Sequence, residues 1–219
     1  MSPARRRRAD DDDDESLVTR IAAALDDDGS GYDISRGLIK RLKQDKQFHR
    51  LESLGYGEIN IASFGQLLLS TSTTPADGCF VDIGAGTGKA CFAAAAVGFA
   101  HSLGFEIVPE LDAQARKSLE SVRDIDAAAA ARCEFHLASC FDHEDAWKRA
   151  SVLFLPVTLF SDDDFAKVHA AVRRTMTRKG AAVLCTSRKL DQCSHLALEQ
   201  TRSVRLHKGA ITVHVYRVV

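Results

Sequence analysis

From Phe48 onward, short apolar runs alternate with stretches of helical period. "CFVDI" at Cys79–Ile83 reads as a strand, and "KACFAAAAVGF" from Lys89 as the helix after it. "HSLGFEI" is a second strand, and "PELDAQARKSLESVRDI" a second helix with Pro109 in its first turn. "CEFHLAS" and "SVLFLPV" are a third and a fourth strand. "DDDFAKVHAAVRRTM" is a helix with acids at its positive end, and "KGAAVLCTS" a fifth strand. The chain then changes character. "RSVRLHKGAITVHVYRV" alternates apolar and polar residues around Gly209, which predicts an antiparallel hairpin. Alternating strands and helices imply an α/β fold, a parallel sheet covered by helices on both faces, here closed by the hairpin. Ligands of such sheets lie at the carboxyl ends of the strands, near the switch in strand order.

Upstream the pattern is sparser. Residues 1–15 form a charged tail, four arginines (Arg5 to Arg8) and then a run of acids, which is too polar to order itself. The arginines could serve nuclear import, contact DNA phosphates, or be a solvated tail neutralised by its own acids. Residues 16–53 form an N-terminal helical segment, with Leu17, Val18, Ile21 and Leu25, then Leu38, Ile39 and Leu42, at helical spacing. Between these helices "DDDGSGYDIS" resembles a calcium loop through Asp26, Asp28, Ser30 and Gly31. Tyr32 interrupts that spacing and no glutamate closes it, so a plain interhelix loop is the simpler reading and no metal site is expected. Residues 54–219 are the expected catalytic domain.

Composition narrows the class. The chain has 219 residues, 45% of them hydrophobic and 27% charged, which suits a soluble globular protein with a real core. A net charge of −1 means that attraction to a charged partner must come from local patches. The six cysteines form no C-x-x-C pair, and reduced thiols in a cytoplasmic or nuclear protein are expected. The start lacks the apolar core of a signal peptide, and no membrane span is expected.

The chemistry sits in "DIGAGTGK", where the first strand ends in an acid and three alternating glycines. A P-loop would need glycine where Ile83 stands and a hydroxyl where Ala90 stands. The dinucleotide fingerprint would need its third glycine at Lys89. The observed spacing suits a ligand without a pyrophosphate. Gly84 and Gly86 let the backbone approach closely, and Gly88 opens a helix whose N–H groups can hold a carboxylate. Asp82 can bind an ammonium group. Glu106, at the end of the second strand, offers a carboxylate to two ribose hydroxyls, unless it is merely a surface acid. An amino-acid arm beside a nucleoside describes S-adenosyl-L-methionine.

Further motifs fall in order around this one: "YGEI" at Tyr56–Ile59, "GFEI" ending in Glu106 and Ile107, "SCFDHEDAW" from Ser139, and "SVLFLPVTLF". Together they resemble the histone-lysine methyltransferases of the disruptor-of-telomeric-silencing (Dot) type, over about Leu54 to Phe165. The resemblance implies a Rossmann-like, seven-stranded class I methyltransferase sheet with a C-terminal antiparallel hairpin. By the same resemblance Tyr56, Gly57, Glu58 and Ile59 form a loop over the methionine end of the cofactor. Asp82, Gly84, Gly86, Gly88 and Lys89 wrap the amino-acid arm, Glu106 takes the ribose, and Ser139 and Cys140 lie beside adenine. Tyr56, Thr158 and Phe160 fall at the catalytic end, though Thr158 and Phe160 also suit an ordinary strand-to-helix turn. Two positions depart from the family pattern: Ser139 replaces an acid, and Pro156 stands where the family has an asparagine near the lysine channel.

The resemblance implies transfer of a methyl group from S-adenosyl-L-methionine to a protein lysine, with a histone or nucleosome as partner and the nucleus as location. DNA contact would fall to Arg5–Arg8 and to Lys40, Arg41, Lys43 and Lys46, unless the latter group is a solvated helix face. A class I enzyme for RNA or a small molecule, and a cofactor-binding pseudoenzyme, are the alternatives that Pro156 keeps open. No histidine has the context of a catalytic base.

Overall fold

The computed structural model describes residues 15–26, 29–44, 57–71, 73 and 75–219. Arg5–Arg8, Asp28, Lys46 and Tyr56 lie outside the described residues.

Three helices precede the sheet: α1 (Leu17–Leu25), α2 (Ser30–Gln44) and α3 (Ile61–Leu69). The Ser16 hydroxyl caps α1 by accepting from Thr19 N, and Asn60 Oδ1 caps α3 by accepting from Ser63 N at 2.9 Å. Then follow β1 (Cys79–Ile83), α4 (Lys89–Ala96), β2 (His101–Glu106), α5 (Pro109–Ile125), α6 (Ala127–Ala131) and β3 (Cys133–Leu137). The chain continues through α7 (Glu144–Arg149), β4 (Val152–Leu155), α8 (Asp162–Thr175) and β5 (Ala182–Thr186), and ends in β6 (Leu196–Arg205) and β7 (Ala210–Val218).

The seven strands run in the order β3-β2-β1-β4-β5-β7-β6. β1 to β5 are parallel, and β7 pairs antiparallel with both β5 and β6. The expected fold class is therefore observed. The hairpin folds back so that its second strand enters the sheet and its first becomes the edge. Strand order reverses between β1 and β4, and the carboxyl ends of the strands open there into a cleft.

Side chains alternate across β1, so Val81 and Ile83 join a core with Trp147, Leu153, Leu155 and Val168 on one face. Phe80 meets Phe154, Phe64 and Phe99 on the other face. Ile21 and Leu25 of α1 are buried in that second cluster, beside Phe64 and Phe92. The segment that resembled a calcium loop has a different use. Both Asp26 carboxylate oxygens accept from the start of α3, from Asn60 Nδ2 at 2.7 Å and from Ile61 N at 2.8 Å. Gly31 lies in the first turn of α2 rather than in a metal loop.

Residues 58–60 are clamped by the distant hairpin turn. Ile59 bridges Leu206, Asn60 N donates to Arg205 O at 3.0 Å, and His207 N donates to Glu58 O at 2.8 Å. This clamp places the loop that follows Tyr56 over the carboxyl end of β1.

Candidate functional site

At the reversal of strand order lies a cavity of about 460 Å³. Among the residues expected at the site, Gly57, Glu58, Ile59, Asp82, Gly84, Gly86, Lys89, Glu106, Ser139, Cys140, Thr158 and Phe160 all line it. Gly88 lies just behind the lining, and Tyr56 is outside the described residues.

The glycine loop is held against β2. Gly84 N and Ala85 N both donate to Phe105 O, at 2.9 and 3.0 Å, and Gly86 N donates to Glu106 Oε2 at 2.8 Å. Gly88 begins α4 with φ of 86°, and a Cβ there would lie 2.6 Å from the Phe135 ring. Gly104 of β2 has the same role from below, since a Cβ would meet that of Ala85 at 2.8 Å. Bare backbone at these two positions lets the loop sit flat on the sheet.

Asp82 is 1% exposed, and its Oδ1 has no hydrogen-bond partner. Burial pushes its carboxyl well above the usual carboxylate range, and the nearby Glu106 pushes it further. A buried, unpartnered carboxylate oxygen on a cavity wall is a receptor for a donor, and a cation would reverse the shift. Glu106 differs. Its Oε1 accepts from Ile107 N and Val108 N, at 2.8 and 2.9 Å, and Oε2 accepts from Gly86 N. Burial raises its pKa against the pull of these three donors. The carboxylate is thus not an open pair of acceptors, because only Oε2 keeps an in-plane lone pair for a hydroxyl.

The Glu58 carboxylate faces protein donors. Oε1 accepts from Gly31 N at 3.2 Å and from the Thr87 hydroxyl at 3.1 Å, and Oε2 pairs with Lys89 Nζ at 3.3 Å. Lys89 Nζ also reaches Asp26 O at 3.4 Å. This buried pair ties the loop after Tyr56, the glycine loop and the N-terminal helices into one wall.

Beyond Glu106, Ser139 accepts from Phe141 N at 3.3 Å and starts a short 3₁₀ turn, Cys140–His143. Burial pushes the Cys140 thiol up to about 12, so it is a small apolar wall and not a nucleophile. Phe105, whose ring centroid lies 5.0 Å from that of His136 and 5.1 Å from that of His143, is stacked in place there.

At the other end Pro156, Leu159 and Phe160 form apolar walls. Thr158 Oγ1 donates to Thr186 Oγ1 at 2.9 Å and lies 3.2 Å from Ser187 Oγ. Thr186 also lines the cavity, as do Ser35 and Leu38 of α2 and Leu206 and Ile211 of the hairpin. Sequence reasoning missed these. Thr186 could have been found, because it ends a predicted strand of the same parallel sheet. The α2 and hairpin residues reach the cavity through long-range packing that no local signal announces.

The family model of the histone methylation protein DOT1 matches residues 35–195, well over half the chain. No curated protein gives a significant match. Solved structures share the fold. An RNA methyltransferase from Salinibacter ruber, in complex with S-adenosyl-L-homocysteine, superposes with a TM-score of 0.54 at 21% identity, over 71% of this chain and 89% of that one. A precorrin-6y C5,15-methyltransferase from Geobacter metallireducens gives 0.52 at 14% identity, over 73% and 89% of the two chains. TrmN from Thermus thermophilus gives 0.51 at 16% identity, over 71% and 48%. Among the described residues no helix is long and apolar enough to cross a membrane. The family match and the residues of the cavity make the chain a methyltransferase whose cofactor is S-adenosyl-L-methionine.

Proposed function

This chain belongs to the DOT1 family of histone methylation proteins, and from that premise we propose that it methylates the side-chain amine of a protein lysine, with a nucleosomal histone as its partner. The observation that supports the lysine reading is the acceptor end of the cavity, where Pro156, Leu159 and Phe160 give apolar walls around a few hydroxyls.

When bound, S-adenosyl-L-methionine supplies an electrophilic methyl group on its sulfonium. The chain's own residues do the rest. Asp82 would receive the ammonium and Glu106 a ribose hydroxyl, and the backbone from Gly84 to Gly88 would leave room for the amino-acid arm. Ser139 and Cys140 would flank the adenine, with the serine hydroxyl as the weaker substitute for an acid. Glu58 and Lys89 hold the loop that follows Tyr56, and so act through position.

The acceptor must arrive as a free amine. Lysine in water has a pKa of about 10.4, and apolar walls lower it because they desolvate the ammonium. Alignment of the amine and exclusion of water are then the protein's main contributions.

Nucleosome binding needs cationic contacts. On α2 the side chains of Lys40 and Lys43 are exposed, whereas Arg41 donates to Glu110 at 2.6 Å. The sequence adds the cations Arg5–Arg8, and phosphate contact by these groups would accord with a nuclear location.

A second reading follows from Pro156, which has neither N–H nor side-chain amide to hold a lysine: methylation of RNA or a small molecule. Radiolabelled transfer onto nucleosomes, free histones, RNA and a metabolite extract tests both. Label on histone lysine supports the proposal. Label confined to RNA or a metabolite overturns it, and cofactor binding with no label on any acceptor points to a pseudoenzyme.

A further inference from the structure

Two hydroxyls of the cavity lining, Thr158 and Thr186, and that of Ser187 beside Thr158 form a line whose direction can be derived. Thr186 Oγ1 donates to Leu155 O at 3.3 Å, so its single hydrogen is committed to the strand below. Thr158 Oγ1 donates to Thr186 Oγ1 at 2.9 Å, which commits the second hydrogen. The 3.2 Å contact between Thr158 Oγ1 and Ser187 Oγ must then be made with the Ser187 hydrogen. The order is Ser187 to Thr158 to Thr186 to Leu155 O, with every hydrogen pointing inward. What remains at the outer end is lone pairs on Ser187 and Thr158.

The backbone is bent to achieve this. Ser187 has φ of 59°, the only positive φ on a non-glycine among the described residues. A serine in this region carries strain of about 1–2 kcal/mol. Ser187 N donates to Thr212 O at 2.8 Å and Arg188 N to Thr186 O at 2.6 Å, which holds the turn in place. Glycine would relieve the strain but remove the hydroxyl.

Among the described residues, Pro156 and Arg188 add no competing donor to the line. Pro156 has no N–H. Arg188, the adjacent cation, donates to Phe160 O at 3.3 Å and to Asp162 Oδ1 at 2.8 Å, with its guanidinium 3.8 Å above the Phe165 ring. Asp164, an acceptor, also lines the cavity.

We propose that Ser187, Thr158 and Thr186 form a directional hydrogen-bond line that positions the methyl acceptor and selects one that donates, an alkylamine in preference to a group that must accept. This rests on the lysine reading above and assigns its specificity to residues of β5 and its following turn. A neutral amine can donate its N–H groups to the exposed lone pairs and keep its own lone pair for the methyl group. A carboxylate or phosphate oxygen would face lone pairs with lone pairs.

The test needs no turnover. Protein saturated with S-adenosyl-L-homocysteine is titrated with 1-aminohexane and with 2-heptanone, whose carbonyl can only accept, and binding is read by ligand-observed NMR. The wild type should prefer the amine about tenfold, the ratio expected from one or two hydrogen bonds. Thr158→Val and Ser187→Ala should bring the ratio near one, and Thr158→Ser should restore it. Calorimetric affinity for S-adenosyl-L-homocysteine within about twofold of wild type, a reading inside additivity error, shows each variant is folded. In parallel, nucleosome methylation by the variants should lose kcat more than KM. A wild type with no amine preference, or variants that keep it, overturns the proposal even if nucleosomes are methylated. Amine preference that vanishes in the variants, without any histone label, upholds the line and overturns the lysine reading alone.

Discussion

The two ends of the cavity are built from different materials. The end at β1 and β2 is main chain and buried carboxylate: glycines with no room for a Cβ, Asp82 at 1% exposure, and Glu106 holding three N–H groups. The end at β4 and β5 is side chain and surface, with Thr158, Leu159 and Ser187 all exposed. Backbone geometry changes only if the fold changes, so the first end suits a constant ligand. Exposed side chains vary without disturbing the sheet, so the second suits an acceptor that differs between relatives. Pro156 stands at the boundary, and its ring lies 3.4 Å from where a Cβ on Gly84 would be. Substitutions at the first end should therefore disturb stability and cofactor together, and those at the second should disturb the acceptor alone.

The largest effect is expected at the strut. Lys89→Met breaks the buried pair with Glu58 and should destabilise the protein by about 3–5 kcal/mol, read by denaturant unfolding. Adding Glu58→Gln removes the charge while keeping an acceptor for Gly31 N and the Thr87 hydroxyl, and should recover most of the loss. A double variant no better than the single one would refute the strut.

Gly88→Ala comes next. It combines positive φ with a clash against Phe135 and should cost about 1–3 kcal/mol, whereas Gly180→Ala, with positive φ in open space, should cost about 1 kcal/mol. Equal losses would show that the loop tolerates a side chain.

Asp82→Asn should weaken the affinity for S-adenosyl-L-methionine about 10–100-fold in calorimetry, the value of a hydrogen bond to a charged group, while the fold persists. Its pH signature has a definite sign. The folded-state pKa is raised, so the ligand-free protein binds this proton more tightly than the unfolded chain does. The resulting stability is fully present below the ordinary aspartate value and is lost as pH rises through the raised one. Cofactor affinity should climb over the same interval, because an ammonium needs the ionised form. The asparagine variant should remove both contributions.

Smallest of all is Pro156→Ala, which should leave cofactor affinity within about twofold of wild type, the range of a surface change. A tenfold loss would erase the boundary between the two ends.

Much of the first end was legible. The strand, acid and glycine pattern has local causes, since a close approach to backbone excludes side chains and a strand end aims its acid at the cleft. The structure places Asp82, Gly84, Gly86 and Glu106 on one cavity wall, as their order in the sequence suggested. Glu58 was read as a loop residue over the cofactor, yet its carboxylate is engaged by Gly31, Thr87 and Lys89. Glu106 was read as an open pair of oxygens, and three backbone donors already occupy most of it. In both cases the residue was visible and its partners were not, because hydrogen-bond partners are a property of approach in space.

The sequence alone determined the alternation of strand and helix, the closing hairpin and the chemistry of the glycine loop, because periodicity and bare backbone act over a few neighbouring residues. Only the tertiary structure decided that β7 enters the sheet ahead of β6, that the turn at Leu206 and His207 clamps the loop at Glu58, and that α2 walls the cavity. It also set the direction of the hydroxyl line at Ser187, which depends on a carbonyl of β4 more than thirty positions earlier in the chain. Such contacts join residues far apart along the chain, and their geometry exists only once the sheet has assembled.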